Sequence, residues 1–243
     1  MSHFSTTITG FWQASFSRGD CLHRDDRFTV TVDPDLDEDS RVMVLQHADR
    51  RCDAVLTPAL ADRLGLRQLP NLAEPVFRRR LQDASVTLHG ADYLFYFSES
   101  GRDALLRDRD APSVRRLTDA DAAAFAAFEA AASAQDLDDA YVALDHTAAF
   151  GAFDQSRLVT AASMYAWDDD ARLMDLGVLT LPPFRGKGHA RDVVRAIARH
   201  AVARGAEPQY RCQLDNPASA ALAAAAGLTL FGTWEVVSPD SAQ

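Results

Sequence analysis

The rhythm of apolar and polar positions divides the chain into two stretches. In the first hundred residues, Phe28 to Val32, Arg41 to Leu45 and Tyr93 to Phe97 have the β-branched and aromatic content of strands, and Cys52 to Leu56 reads as a fourth. Thr57-Pro58 followed by an apolar turn and Gly65 predicts a short capped helix. A second helix is expected from about Leu72 to Gln82, with Val76, Phe77 and Leu81 on one side. Ser100 to Ser113 alternates arginine with aspartate and holds Pro112, the composition of a linker.

Beyond it the pattern is more regular. Val114 to Leu117 begins a strand, and Thr118 to Asp121 caps a helix that carries Phe125 and Phe128 on one face. Asp136 to Asp139 interrupts that pattern before a second helical piece around Ala140 to Leu144. Ala148 to Phe153, Arg157 to Trp167 and Arg172 to Leu181 are separated by polar turns at 154–156 and 168–170, which predicts an antiparallel meander. Ala190, Val193, Val194, Ile197, Ala198, Ala201 and Val202 then recur at helical spacing, and Gly205 stops that helix. A strand from Gln209 to Leu214, an alanine-rich helix opened by Asn216-Pro217 and ended by Gly227, and a strand from Leu228 to Val237 complete the series.

At 243 residues the chain is long enough for one large domain or two modest ones. It has no long apolar run, so no membrane span is expected, and no export signal precedes the first element, which favours a cytoplasmic location. A net charge of -10 argues against nucleic acid as a partner. The three cysteines and seven histidines fall at no metal-ligand spacing, so no metal is expected. Arg78, Arg79 and Arg80 read as a solvated helix face rather than an anion site.

The chemistry lies between the meander and the long helix. The third strand runs into Pro182-Pro183, and Arg185-Gly-Lys-Gly-His-Ala190 opens the helix directly. A glycine loop at a helix start offers unpaired backbone N–H groups and the positive end of the helix dipole, which suits phosphate. Lys187, the single lysine, is followed by Gly188 rather than Ser or Thr, which excludes a Walker loop. Arg191 stands where a dinucleotide fingerprint needs its third glycine. Arg185, Gly188 and Ala190 leave the pattern Arg-x-x-Gly-x-Ala. This resembles the pyrophosphate loop of the GCN5-related N-acetyltransferase (GNAT) superfamily. Asn216-x-x-Ser219 and Gly227-Leu228 resemble a second motif of that family, and the element order from about Val114 to Val237 is similar as well.

The resemblance implies an α/β (α+β type) GNAT fold with a mixed, mostly antiparallel central sheet. It would occupy residues 114–243, after a linker at 106–113 and a smaller α/β N-terminal domain at 1–105. It further implies acetyl-CoA as cofactor and transfer of the acetyl group to a primary amine of a small molecule. Val178, Leu179 and Thr180 would pair with the pantetheine arm, with the amide near Leu179 as oxyanion donor. Arg185, Gly186, Lys187, Gly188, His189 and Ala190 would hold the pyrophosphate, with Asn216 and Ser219 nearby. Asp175, in Asp175-Leu-Gly177, is a candidate base, open between that role and a strand carboxylate paired with an arginine such as Arg157 or Arg172. The tyrosine that many members use as general acid is replaced by Ala223, and Tyr165 is the first substitute. A non-catalytic acyl-CoA-binding protein with a sensor role is the alternative, and association as a homodimer is left open.

Overall fold

The computed structural model describes residues 4–69, 71–167 and 172–241. In chain order it forms α1 (Thr6–Ser17), β1 (Asp20–Arg24), β2 (Phe28–Val32), β3 (Val42–His47), β4 (Cys52–Leu56), α2 (Pro58–Arg63), α3 (Glu74–Asp83), β5 (Asp92–Tyr96) and α4 (Glu99–Arg107). Then follow β6 (Val114–Leu117), α5 (Ala122–Glu129), α6 (Ala134–Ala140), β7 (Ala148–Asp154), β8 (Arg157–Ala166), β9 (Leu173–Thr180), α7 (His189–Val202), β10 (Glu207–Gln213), α8 (Pro217–Ala226) and β11 (Thr229–Val236). The architecture is mixed α/β and mostly antiparallel, with β2–β4 and β9–β10 as parallel pairs among the described registers.

The chain divides into two compact units, and each takes more than one segment. One unit gathers residues 9–94, 212–216 and 230–243. Its strands follow the order β1-β2-β4-β3-β11, and β11 pairs antiparallel with β3 from Gly232↔His47 to Val236↔Met43. Its core joins Phe28, Val30, Val44 and Leu56 from the strands to Leu60, Phe77 and Leu81 from α2 and α3. Thr57 caps α2 by accepting the Leu60 N–H at 3.4 Å, as the Thr-Pro signature predicts. Arg78 binds Glu74 and Glu235, each at 2.7 Å, so one member of the arginine triplet is neutralised rather than solvated.

The other unit gathers residues 1–8, 95–211 and 217–229. Its strands run β10-β9-β8-β7-β6. β7 and β8 turn through Gln155 and Ser156, both at positive φ, which is the mirror-image turn that matches strand twist. The turn read at 168–170 lies outside the described residues. Leu117, Phe125, Phe128, Ala161, Leu179 and Leu181 form a core that seats α5 against the sheet. Thr118 and Asp121 make the reciprocal capping box before α5.

Three local expectations are corrected. The stretch read as linker begins with a helix, α4, capped by Ser98, whose hydroxyl accepts the Gly101 N–H. The Asp136–Asp139 stretch lies inside α6 rather than between two helices, because Ser133 caps the helix from outside and accepts the Asp136 N–H at 3.0 Å. Tyr141, placed in the second helical piece, has a left-handed backbone (φ 46°) and ends α6 there.

Candidate functional site

The strand that enters the glycine loop has one open edge. On one side β9 pairs with β8 along its whole length, from Tyr165↔Asp175 through Ser163↔Gly177 and Ala161↔Leu179 to Thr160↔Thr180. On the other side the register with β10 runs from Leu173↔Glu207 to Asp175↔Gln209 and stops, although β9 continues to Thr180 and β10 to Gln213. On that side the backbone groups of Leu176, Val178 and Thr180 face β10 without a ladder, while those of Gly177 and Leu179 turn to β8. The alternate N–H and C=O groups are therefore placed to receive an extended ligand as a strand would be received.

Five residues after β9 ends, the chain enters the loop. Gly186 and Gly188 adopt φ 75° and φ 87°, and a Cβ on either would meet no atom nearer than 3.6 Å. Crowding by the protein does not demand these glycines; the left-handed backbone does. Gly188 is the N-cap of α7 and has no side chain with which to cap it. The first-turn amides of a 14-residue helix are thus left for a ligand, as expected of a phosphate cradle. Arg185 is held by the Thr180 carbonyl at 3.0 Å and by Asp136 at 3.0 Å, so it braces the loop to β9 and α6. Lys187 Nζ lies 4.8 Å from the centre of the Phe184 ring. Further along α7, Arg191, Arg195 and Arg199 line a cavity of about 460 Å³ with Arg109 and Ala225.

Where β9 and β10 part, Asp175 is only 3% exposed. Tyr165 donates to its Oδ2 at 3.0 Å, Gln209 to Oδ1 at 3.3 Å, and Arg211 to Oδ2 through Nε and Nη2 at 3.1 and 2.9 Å. The carboxylate is therefore ion-paired, with Arg211 rather than with Arg157 or Arg172. Gln209 in turn accepts from the buried Tyr96 hydroxyl, and the Arg211 guanidinium stacks 4.1 Å from the centre of Trp167. Burial first, then the Asp175 charge, pushes the Tyr165 hydroxyl up to about 12. A phenol that binds its proton so firmly is a poor donor to a thiolate, which argues against Tyr165 as general acid.

Gly177, between these residues and Leu179, is required for space. A Cβ there would stand 2.1 Å from the Ala140 carbonyl oxygen and 3.1 Å from that of Tyr141, so only glycine lets the end of α6 lie on β9. Ser219 is bonded to the Tyr210 hydroxyl at 2.7 Å, away from the Asp175 cluster. Asn216 immediately precedes α8, and its N–H donates to the Gln213 carbonyl. Ala223 is fully buried, so the position that departs from the family pattern faces the interior.

Sequence reasoning missed Gln209, Arg211, Tyr141, His146 and Ser163. Parallel pairing with β10 brings the first two to Asp175, and nothing local in the sequence sets that register. Ser163 could have been found by alternation, since it shares a strand face with Tyr165.

A strand that parts from its neighbour beside a phosphate-ready helix start defines the class: an α/β fold with room for an extended, phosphate-bearing ligand. The chain belongs to the acetyltransferase (GNAT) domain family, whose profile matches residues 63–229. That match begins earlier than the motifs alone placed it. No curated protein matches. Among solved structures, a GNAT-family acetyltransferase from Colwellia psychrerythraea is similar in fold: 22% identity, TM-score 0.50, over 68% of this chain and 62% of that one. A GNAT-family protein from Novosphingobium aromaticivorans DSM 12444 matches at 18% identity and TM-score 0.47, over 63% of this chain and 66% of that one. The aminoglycoside N-acetyltransferase AAC(6')-Iy, solved with CoA, matches at 20% identity and TM-score 0.37, over 47% of this chain and 89% of that one. The chain thus spans less than two thirds of the length of the first two. No described helix is long and apolar enough to cross a membrane.

Proposed function

We propose that the protein transfers an acetyl group from acetyl-CoA to a primary amine of a small molecule. The observation that carries this reading is the parting of β9 from β10 after Asp175, directly upstream of the loop that opens α7. Backbone groups of Val178 and Thr180, which alternate with Leu181 (whose N–H donates to Val159 in β8), would hold the pantetheine arm from the open edge. The Val178 N–H, rather than that of Leu179, which turns toward β8, would face the oxyanion. Amides of Gly188, His189 and Ala190 would take the pyrophosphate, for which the open space above Gly186 and Gly188 leaves room. Holding both reactants side by side supplies rate through orientation, up to roughly 7–11 kcal/mol in favourable cases.

Asp175 serves this site by position. Its ion pair with Arg211 and its bond from Tyr165 tie β8, β9 and β10 together where the opening begins. A smaller role remains for any general acid, because a thiol of pKa about 8.5 leaves acceptably as its anion. The test is acetyl-CoA turnover, read as thiol release, with ethanolamine, putrescine, tyramine and glycinamide, beside calorimetry with CoA. Release with at least one amine is expected. Tight CoA binding without release from any of them would favour an acyl-CoA sensor instead.

A further inference from the structure

Both oxygens of Asp175 are already engaged, so the proton of an incoming ammonium needs another acceptor. One titratable ring on the same face of the sheet is placed to take it. His146 lies between α6 and β7, half-buried, with Nδ1 2.8 Å from Ser163 Oγ. That oxygen also accepts the Ala143 backbone N–H at 3.1 Å, so Ser163 holds the turn and the imidazole together. Ser163 faces Gly177 across the β8–β9 ladder, and facing residues share a side of the sheet. Ser163 and Gly177 thereby sit between the Tyr165–Asp175 pair and the Ala161–Leu179 pair.

The ring is framed by two phenols. Tyr165 and Tyr141 lie 5.0 and 5.1 Å from it, centre to centre, and 5.1 Å from each other. Tyr141 is 61% exposed and holds this place through its left-handed backbone, an uncommon conformation for a bulky residue. The phenol so placed stands beside the half-buried imidazole at the end of a helix seated on Gly177.

We propose that His146 is the proton acceptor for the incoming primary ammonium, and that Ser163 is a positioning residue that takes the Nδ1–H and leaves the Nε2 lone pair for the substrate. The proposal rests on the transferase reading above. Burial holds the imidazole below its usual pKa of 6.5, against the opposing pull of Asp145, so the ring is neutral near pH 7. The other groups facing it are the Tyr141 and Tyr165 phenols, and beyond Tyr165 the Asp175–Arg211 ion pair. The π faces of the two phenols attract a cation before it gives up its proton. In the reaction, Nε2 takes one proton from R–NH3+. The freed nitrogen pair forms the C–N bond at the thioester carbonyl, and the C–S bond breaks with its pair on sulfur. The imidazolium returns its proton to the thiolate, and the second nitrogen proton passes to solvent, giving the amide, CoA thiol and one H+.

Nitrogen-resolved NMR of the full chain, titrated from roughly pH 5 to roughly pH 9, reads the tautomer and pKa of His146 without any acceptor. The pH profile of kcat/KM is measured in parallel for wild type, His146→Gln and Ser163→Ala, with whichever of ethanolamine, putrescine, tyramine or glycinamide releases CoA fastest. The expected results are an Nδ1–H tautomer and an acid limb in the wild-type profile below pH 6.5. His146→Gln should lose about 10²-fold or more in kcat, lose that limb, and keep its affinity for CoA. Ser163→Ala should lose less and move the limb. An Nε2–H tautomer at neutral pH, or a His146→Gln enzyme with wild-type kcat and an unchanged limb, would overturn the proposal. Binding of CoA with no release from any amine would count against the transferase reading itself, while the tautomer still reports on His146.

Discussion

Four hydrogen bonds from three side chains converge on Asp175, and this count decides what nearby substitutions do. Tyr165→Phe removes one of the four and leaves the Arg211 pair. The Tyr165 hydroxyl is committed to Asp175, and burial and that charge raise its pKa, so it is poorly placed to hand its proton to a thiolate. Tyr165→Phe should therefore lower kcat by less than about tenfold, where loss of a true acid would cost about 10²–10⁴. A hundredfold loss at unchanged melting temperature would restore Tyr165 as the acid. Ala223 can be judged in the same way. Its side chain is fully buried, so Ala223→Tyr overpacks the interior and should cost about 1–3 kcal/mol of stability without raising kcat. A rise in kcat would mean that the ring finds the sulfur after all. Pairing of Asp175 with an arginine was one of two readings the sequence left open, and the identity of that arginine was not legible. Arg211 is thirty-six residues away in sequence and arrives only through the parallel register of β10.

Elements with a long periodic face were readable, and those held by a few anchors were not. The apolar stripe of α7 and its glycine stop at Gly205 (φ 79°) are seen as expected. By contrast α1 contains Gly10 and β-branched residues, and only Ile8, Trp12 and Phe16 mark its buried side, so no helix was expected there. β1 is mostly exposed and lacks alternation, which hid it as well. The end of α6 was misplaced because Tyr141 takes a conformation that sequence does not signal outside Gly, Asn and Asp. This junction is where the candidate acceptor side depends most on one residue. Gly177→Ala must push the Ala140 carbonyl away from its 2.1 Å approach. The expected outcome is a raised KM for the amine with little change in CoA affinity. A KM unchanged from wild type would show that α6 does not shape the acceptor side.

At the scale of the whole chain, the motifs from 114 onward suggested a self-contained C-terminal half, and a cut at 106–113 remains a proposal about folding. The grouping of contacts makes a specific prediction for it. Residues 230–243 belong with 9–94, and Gly232–Val236 pair with β3. A fragment of residues 110–243 would leave that strand edge unpaired, and such edges invite association. It should aggregate or melt without cooperativity; a monomeric fragment with a sharp transition would show the C-terminal half to be self-sufficient. The role of the N-terminal unit was not legible, since its strands and helices carry packing residues and no chemical motif.

The central claim is that the loop from Arg185 to Ala190 and the open edge of β9 hold acetyl-CoA. Calorimetric titration of CoA into wild type and Gly188→Val tests it most directly. A side chain at φ 87° costs about 1–2 kcal/mol, small against the 5–15 kcal/mol of a folded domain, so the variant should remain folded and its melting curve should say so. The account predicts one CoA per chain for wild type and no measurable binding for Gly188→Val. Undiminished affinity in the folded variant, or no binding by wild type, would contradict it.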